Sequence, residues 1–135
     1  VEPFAGSAAM SLACAARGRA KRYWLNDLNR PLADLLREIV HRPEALAEGY
    51  TALWRAEPEA ALEHYYDVRE RFNRQPEPAL FLYLLARCIK GAVRYNSEGF
   101  FNQSPDKRRL GTQPATMRTN LLAASGLLRG RTVVT

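Results

Sequence analysis

The sequence predicts an α/β fold with a parallel sheet and a mainly helical insertion, and three observations support this prediction. Short apolar or β-branched runs alternate with Ala/Leu-rich stretches near both ends of the chain. The middle of the chain carries helical patterns without strands between them. With 47% hydrophobic and 25% charged residues, the 135-residue chain has the composition of a folded domain. Because alternating strands and helices are typical of doubly wound sheets, we expect ligands at the carboxyl ends of the strands.

Residues 1–42 show the order strand, helix, strand, helix. VEPF is typical of the end of a buried strand, and SAAMSLACAARG predicts a helix that ends at Gly18. RYWL predicts a second short strand. PLADLLREIVHR then predicts an amphipathic helix whose apolar stripe consists of Leu32, Leu35, Leu36 and Ile39.

Residues 43–112 form the predicted insertion. It contains three helical stretches, PEALAEGYTALWRAE, PEAALEHYYDVRERFN and EPALFLYLLARCIKGAV, and Pro43 and Pro58 each suit a first helical turn. The third stretch is apolar on nearly all sides from Leu80 to Leu85, so we expect it at the buried centre. RYNSEGFFNQSPDKRRLGTQP loses this periodicity and predicts a hairpin followed by a loop.

Residues 113–135 return to the pattern of the first segment. ATMRTNLLAASGLLRG predicts a helix, and RTVVT predicts the start of a third strand. Since a strand pattern is cut at each end of the chain, we expect these residues to be the interior of a larger protein.

The formal charge of +6 is unevenly distributed. Residues 1–68 carry 8 Lys/Arg and 10 Asp/Glu, whereas residues 69–135 carry 12 and 4. A basic half is typical of polyanion binding, although a solvated basic face gives the same count. The charge alone leaves both interpretations open.

Cysteine use and hydropathy exclude several classes of protein. Cys14 and Cys88 lie far apart without metal-ligand spacing, so we expect two buried thiols and neither a zinc site nor a disulfide framework. No segment of the sequence resembles a signal peptide or a membrane span of about 18 apolar residues. We therefore expect a cytoplasmic protein with no membrane association and no metal site.

The turn after VEPF predicts a ligand site. Gly6 permits a tight turn, and the small residues after it let backbone N–H groups approach a ligand. Glu2 disfavours a phosphate there and suits a cation, and Asp27, about 20 residues on, is placed to accept ribose hydroxyls. A ribose and a positive charge without phosphate fit S-adenosylmethionine better than NAD. The alternatives are that the turn serves packing alone and that Asp27 is the N-cap of the next helix.

Four sequence blocks resemble the Dam-like, D12 class of DNA adenine-N6 methyltransferases. They are VEPFAGSAAMSL, NDLN, YYDVRERFN and ALFLYLLARCIKGAVRYNSEGFFN. The family pattern has an Asp/Glu-Pro-Phe-x-Gly turn, a Tyr-Tyr-x-x-Arg-x-x-Phe-Asn block and an Arg-x-Asn-x-x-Gly-x-Phe-Asn hairpin, and this chain contains all three in that order. The resemblance implies a partial Rossmann-like fold of the S-adenosylmethionine-dependent methyltransferases, with residues 43–112 as the target-recognition insertion.

The resemblance also implies roles for individual residues. The expected cofactor site, with Asp27 on the ribose and Leu28 beside the adenine, comprises Glu2, Pro3, Phe4, Ala5, Gly6, Ser7, Asp27 and Leu28. In the YYDVRERFN block, Tyr65, Arg69 and Phe72 share one helical face, which leaves internal packing and direct DNA contact as alternatives. The expected contacts to double-stranded DNA are Arg87, Lys90, Arg94, Tyr95, Asn96, Ser97, Asn102, Lys107, Arg108 and Arg109.

The chain departs from the family pattern in several places. Ala8 replaces the second glycine of the turn, and QSPDKRR follows Asn102 where the family has Val-Pro. The family's catalytic Asp-Pro-Pro-Tyr motif does not occur in the sequence, so we assign no catalytic residue and expect this chain alone to be inactive.

Two functions from different classes fit these features. The first is a site-specific DNA adenine-N6 methyltransferase that uses S-adenosylmethionine and is represented by an incomplete chain. The second is a noncatalytic or split relative that only holds DNA. For residues 94–102 we expect a hairpin in which Tyr95 fills the gap left by a flipped base and Asn96 contacts a base edge. The alternative is that Tyr95 packs inward and that Asn96 and Ser97 only form the turn.

Overall fold

The computed structural model describes residues 1–56, 61–108 and 110–135. Within these ranges the chain combines six α-helices with a small parallel sheet. The elements in chain order are α1 (Ala9–Ala16), β1 (Tyr23–Leu25), α2 (Arg30–His41), α3 (Pro43–Arg55), α4 (Ala61–Arg74), α5 (Pro78–Arg87), α6 (Pro114–Leu128) and β2 (Thr132–Val134). The predicted mixture of helices and strands is confirmed. Pro58, predicted to open a helix, lies outside the described residues.

The predicted parallel sheet is also confirmed. β1 pairs in parallel with β2, and Leu25 lies opposite Val134. On the other side of β1, the Glu2 N–H donates to the Trp24 carbonyl at 2.8 Å, and the Asn26 N–H donates to the Glu2 carbonyl at 2.9 Å. β1 therefore lies between the chain start and β2.

The VEPF segment pairs with β1 at one residue only. Glu2 forms a single parallel bridge with Leu25, and a turn begins directly afterwards. The next backbone donor toward β1 is the Ala5 N–H, which bonds to the Asn26 carbonyl at 2.9 Å, one residue later than a regular parallel ladder requires. The predicted strand end is thus present as a single bridged residue, Glu2.

One face of the sheet is covered and the other is open. Leu25 and Val134 are buried, whereas Trp24 and Val133 alternate with them and are 51% and 60% exposed. The covered face packs against a cluster that includes Leu36, Val40 and Leu128. Because side chains alternate along a strand, this pattern places α2 and α6 on one side of the sheet.

The second hydrophobic cluster surrounds α5. Leu80, Phe81, Leu82, Tyr83 and Leu84 are all buried, which confirms that this helix lies at the centre of the helical region. Helices α3 and α4 and the C-terminal side of the hairpin pack around it. α2 and α6 contribute to both clusters. Leu35 and Met117 belong to the cluster around α5, and Leu36 and Leu128 belong to the cluster that covers the sheet.

α5 ends earlier than the sequence pattern indicates. The pattern runs to Val93, but the helix stops at Arg87 and a single 3-10 turn, Ile89–Gly91, follows. Cys88 forms an antiparallel bridge with Pro105, and the Ile89 N–H donates to the Ser104 carbonyl at 3.1 Å. These tertiary pairings replace the helical bonds that the local sequence would otherwise favour.

The two cysteines differ in environment. Cys88 is buried, as predicted, and its burial raises the pKa of the thiol. Cys14 is only partly buried, so the prediction fails for this residue. Its helix, α1, is short and packs one side against the sheet cluster, which leaves Cys14 at the margin.

Two features are absent from the described residues. No helix among them has both the length and the apolar character that a membrane span requires. Nor do these residues bring three or more His, Cys, Asp or Glu side chains together as a metal site.

Candidate functional site

The turn between VEPF and α1 uses a left-handed backbone twice. Gly6 has φ 51° and Ala8 has φ 55°. Such angles suit glycine and cost an L-residue about 1–2 kcal/mol. Ala8 is 1% exposed and precedes the first residue of α1. The small side chains of this turn are therefore matched to a tight, partly buried backbone.

Asp27, which follows β1, is hydrogen-bonded to this turn. Its Oδ2 accepts a hydrogen bond from the Gly6 N–H at 2.9 Å, and its Oδ1 accepts one from the Asn29 N–H at 2.9 Å. Each carboxylate oxygen has two acceptor positions, so both can still accept a hydroxyl from a ligand. Asp27 thus joins the two strand ends where the sequence predicts a ribose.

Asp27 is not the N-cap of α2, which was the alternative interpretation of this residue. The N-cap is Asn29, whose Oδ1 accepts from the Leu32 N–H at 3.3 Å. The signal for this cap is an Asn two residues before Pro31, since N-caps favour Asn and proline favours the first turn. Sequence reasoning missed Asn29, which also contacts the hairpin.

The Glu2 carboxylate accepts hydrogen bonds from the first turn of α1. Its Oε2 accepts from the Ser11 N–H at 3.0 Å and from the Ser11 hydroxyl at 2.5 Å. Helix starts leave N–H groups without intrahelical partners, and a carboxylate is stabilised there. Glu2 therefore holds α1 in place, a structural role that the sequence did not indicate.

The remaining residues of the predicted cofactor site surround this turn. The Ala5 N–H donates to the Asn26 carbonyl at 2.9 Å, which draws the two strand ends together. Pro3, Phe4 and Ser7 are exposed, and the exposed fractions of Phe4 and Leu28 are 78% and 88%. The fold thus brings Gly6 into direct contact with Asp27 and leaves the large apolar side chains of Phe4 and Leu28 open to solvent.

Residues 94–102 form the predicted hairpin. Tyr95 bridges Phe101, and the Asn96 N–H donates to the Phe100 carbonyl at 2.9 Å. Gly99 has φ 83°, a value that explains the glycine in the turn. Asn96 Oδ1 accepts from the N–H groups of Glu98 and Phe100, so this side chain fastens the turn.

Tyr95 packs inward in this structure. Its ring centre lies 6.0 Å from that of Phe101 in an edge-on arrangement. Its hydroxyl donates to Asn29 Oδ1 at 3.3 Å, and burial raises the pKa of Tyr95. Since Asn29 is also bonded to Asp27, the base of the hairpin contacts the loop that carries the predicted ribose acceptor.

The YYDVRERFN block lies on α4 and packs internally. Tyr65 and Phe72 are buried, and burial raises the pKa of Tyr65. Arg69 is only partly buried, and its guanidinium lies 4.7 Å from the centre of the Tyr66 ring. Of the two interpretations left open by the sequence, these contacts agree with internal packing.

The predicted DNA-binding residues divide by exposure. Exposed members are Lys90, Arg94, Ser97, Asn102, Lys107 and Arg108. Arg87 is the exception. It is 3% exposed in the last turn of α5, so the packing of this helix keeps it out of the exposed basic surface. Arg109 lies outside the described residues.

A wide, open cavity adjoins the basic loop. It has a volume of about 550 Å³ and is lined by Tyr66, Ile89 and residues 104–108. Lys107 and Arg108 are among its lining residues, and the Asp106 carboxylate accepts from the Arg108 N–H at 2.9 Å. The cavity gives this part of the chain a concave surface with two cations beside an aromatic ring.

Comparisons with known proteins give one family match and several relatives. A profile of the family described as D12 class N6 adenine-specific DNA methyltransferase matches residues 1–125. The chain is 35% identical over 106 residues to the "DNA adenine methylase" of Escherichia coli strain K12. The aligned region covers 76% of this chain and 36% of that protein. It is also 35% identical over 109 residues to the "Retron Ec67 DNA adenine methylase" of Escherichia coli, with coverage of 76% and 36%. The chain therefore spans about a third of the length of these relatives.

Proposed function

The chain belongs to the D12 class N6 adenine-specific DNA methyltransferase family, and we propose that its full-length gene product methylates adenine N6 in double-stranded DNA, with S-adenosylmethionine as the methyl donor. The observation that carries the proposal is the carboxylate of Asp27 bonded across the Gly6 turn, at the carboxyl ends of two paired segments. In parallel α/β sheets this edge is the usual place for a nucleoside ligand.

The donor site in this proposal is the turn together with the loop after β1, within a Rossmann-like fold. Asp27 accepts the ribose hydroxyls, and Leu28 covers one face of the adenine. Glu2, Pro3, Phe4, Ala5, Gly6 and Ser7 form the wall around the donor, and the exposed Phe4 offers apolar surface to it. The remaining acceptor positions of Asp27 and the absence of side-chain bulk at Gly6 support this fit.

The DNA site in this proposal is the hairpin with the basic loop that follows it. Lys90, Arg94, Lys107, Arg108 and Arg109 neutralise phosphates, and the hairpin enters the duplex with Asn96, Ser97 and Asn102 near the bases. Tyr95 fills the space left by the flipped adenine. For this its ring leaves Phe101 and its hydroxyl leaves Asn29, both of which it contacts in the structure.

The proposed division of the chain follows from these two sites. Residues 1–42 and 113–135 belong to the donor-binding part, and residues 43–112 form the target-recognition insertion. S-adenosylmethionine supplies an electrophilic methyl group, and these residues bind and orient the donor and the DNA. We place the protein in the cytoplasm, where it reaches its DNA substrate.

Methyl incorporation tests the proposal against the noncatalytic alternative. The full-length gene product is incubated with duplex DNA and S-adenosylmethionine carrying a tritiated methyl group. We expect label in the DNA fraction, and no label when Asp27 is changed to Ala. A protein that binds duplex DNA yet transfers no label would be a DNA-holding relative, and the methyltransferase proposal would then be wrong.

A further inference from the structure

One stripe of α4 faces the chain that leaves the hairpin. Tyr65, Arg69 and Asn73 are spaced four residues apart, so they lie one above another along the helix. The Tyr65 hydroxyl donates to the Gln103 carbonyl at 2.9 Å, and the Arg69 guanidinium donates to the same oxygen at 3.4 Å. The stripe thereby fixes the backbone just after the hairpin.

Asn73 holds the hairpin itself at Phe101. Its side-chain amide donates to the Phe101 carbonyl at 3.0 Å, and its Oδ1 accepts from the Phe101 N–H at 2.8 Å. A primary amide presents a donor and an acceptor side by side, so it can pair with both backbone groups of one residue. Phe72 adds an edge-on contact to the Phe101 ring at 5.9 Å. Phe101 is thus held through its backbone and its side chain.

All four hydrogen bonds from this stripe end on backbone atoms of residues 101 and 103. Backbone contacts are independent of the side chains at the exposed hairpin tip, residues 97–100. We infer that Tyr65, Arg69 and Asn73 are positioning residues, which fix where the hairpin meets DNA while the tip selects the site. This inference rests on the proposed function and assigns separate roles to the stripe and the tip. The recognised DNA sequence can change through the tip while Tyr65, Arg69 and Asn73 stay the same.

Asn73 offers the sharpest test. In the full-length gene product, Asn73→Ala removes both bonds to Phe101, whereas Asn73→Asp keeps the acceptor and loses the donor. Each variant methylates plasmid DNA from a host without adenine methylation, and sequencing of N6-methyladenine gives the ratio of preferred sites to other adenines. We expect this ratio to fall at least tenfold for Asn73→Ala and less for Asn73→Asp, with donor affinity within twofold of wild type.

Arg74→Ala is the matched control. Arg74 is the next residue of α4, its side chain is 72% exposed, and it pairs with Glu70 at the surface. We expect this variant to keep wild-type site choice. Tyr65→Phe is the milder second variant, because it retains the buried ring and removes only the hydroxyl bond to Gln103; we expect about a threefold loss of site preference.

Two outcomes would overturn the inference. The first is wild-type site choice in a folded Asn73→Ala protein, or in Tyr65→Phe if the alanine variant fails to fold. The second is unchanged hydrogen exchange of the Phe101 amide in Asn73→Ala, since loss of its acceptor should speed that exchange. The exchange measurement needs no activity, so it separates this inference from the proposed function, which fails if wild-type protein transfers no methyl group to DNA.

Discussion

At the scale of single residues, Asp27 has a structural role in the turn and, in our proposal, a second role in donor binding. Both of its oxygens accept backbone N–H groups in the structure, and the proposal adds two ribose hydroxyls. Any substitution therefore changes the turn as well as the donor site. A variant of similar size and shape keeps the change in the turn small.

Asp27→Asn is the substitution we expect to be most informative at the donor site. It preserves the size of the side chain but removes the charge and one of the two acceptor oxygens. Hydrogen bonds to a charged acceptor contribute about 1.5–3 kcal/mol each. Donor affinity measured by calorimetry should fall at least tenfold. Asp34→Asn removes the same charge from a half-exposed position on α2 and should leave donor affinity unchanged. An unaltered dissociation constant in Asp27→Asn would remove this residue from the site.

Tyr95 is tested by two substitutions that act in opposite directions. Tyr95→Phe keeps the ring and removes the bond to Asn29, so insertion no longer has to break a bond with a net value of about 0.5–1.5 kcal/mol. Affinity for duplex DNA should rise about two- to tenfold. Tyr95→Ala removes the ring as well and should slow methylation of duplex DNA. Binding and methylation at wild-type levels in both variants would mean that Tyr95 only packs inward.

At the scale of elements, periodicity predicted most of the helices and strands. The apolar stripe of α2 and the β-branched run of β2 appear in the structure with boundaries close to the expected ones. The glycine turn and the hairpin were predictable for a related reason, since Gly6 and Gly99 both adopt positive φ. These features depend on residues close to one another in sequence.

Features that depend on long-range contacts were not predictable in this way. The end of α5 is set by the pairing of Cys88 with Pro105, and no local signal marks it. Likewise, the burial of Arg87 follows from the position of α5 within the core, whereas its sequence neighbours suggest a surface cation. The bond from Tyr95 to Asn29 joins residues 66 positions apart. Sequence patterns identify the residue types at such sites but not their partners.

The aromatic core around α5 should carry much of the stability of the helical region. Phe72 is 1% exposed and stacks on Phe81 with ring centres 4.9 Å apart. Phe72→Ala should lower the free energy of unfolding by about 3–5 kcal/mol, measured by urea denaturation. The exposed neighbour Arg71 provides the control, because Arg71→Ala should change stability by less than about 0.5 kcal/mol. A loss below about 1 kcal/mol for Phe72→Ala would contradict the packing described here.

The basic segment should give DNA binding a strong dependence on salt. With Arg87 buried, the exposed cations in the described part of this segment include Lys90, Arg94, Lys107 and Arg108. If about four cations meet phosphates, the slope of log affinity against log salt should be about −3.6, and Lys107→Ala should reduce it by about 0.9. Arg129→Ala, an exposed cation outside this segment, should leave the slope unchanged. A slope near zero would mean that the basic residues only face solvent.

At the scale of the whole molecule, the two proposed sites share a support. α2 and α6 contribute to both hydrophobic clusters, and Asn29 at the start of α2 bonds to Asp27 on one side and to Tyr95 on the other. The proposed donor turn and the hairpin therefore both contact the short loop between β1 and α2. This arrangement suits a reaction in which a donor and a DNA base must meet.

The central claim is that this chain supplies the donor turn and the recognition hairpin of a DNA adenine-N6 methyltransferase. The most direct measurement is mass spectrometry of nucleosides from the DNA of a host without adenine methylation that expresses the full-length gene product. We expect N6-methyladenine in DNA from cells with the wild-type protein and its loss with Asp27→Ala at equal protein level. DNA without N6-methyladenine in the wild-type cells, or with the new methyl group on cytosine, would contradict the account.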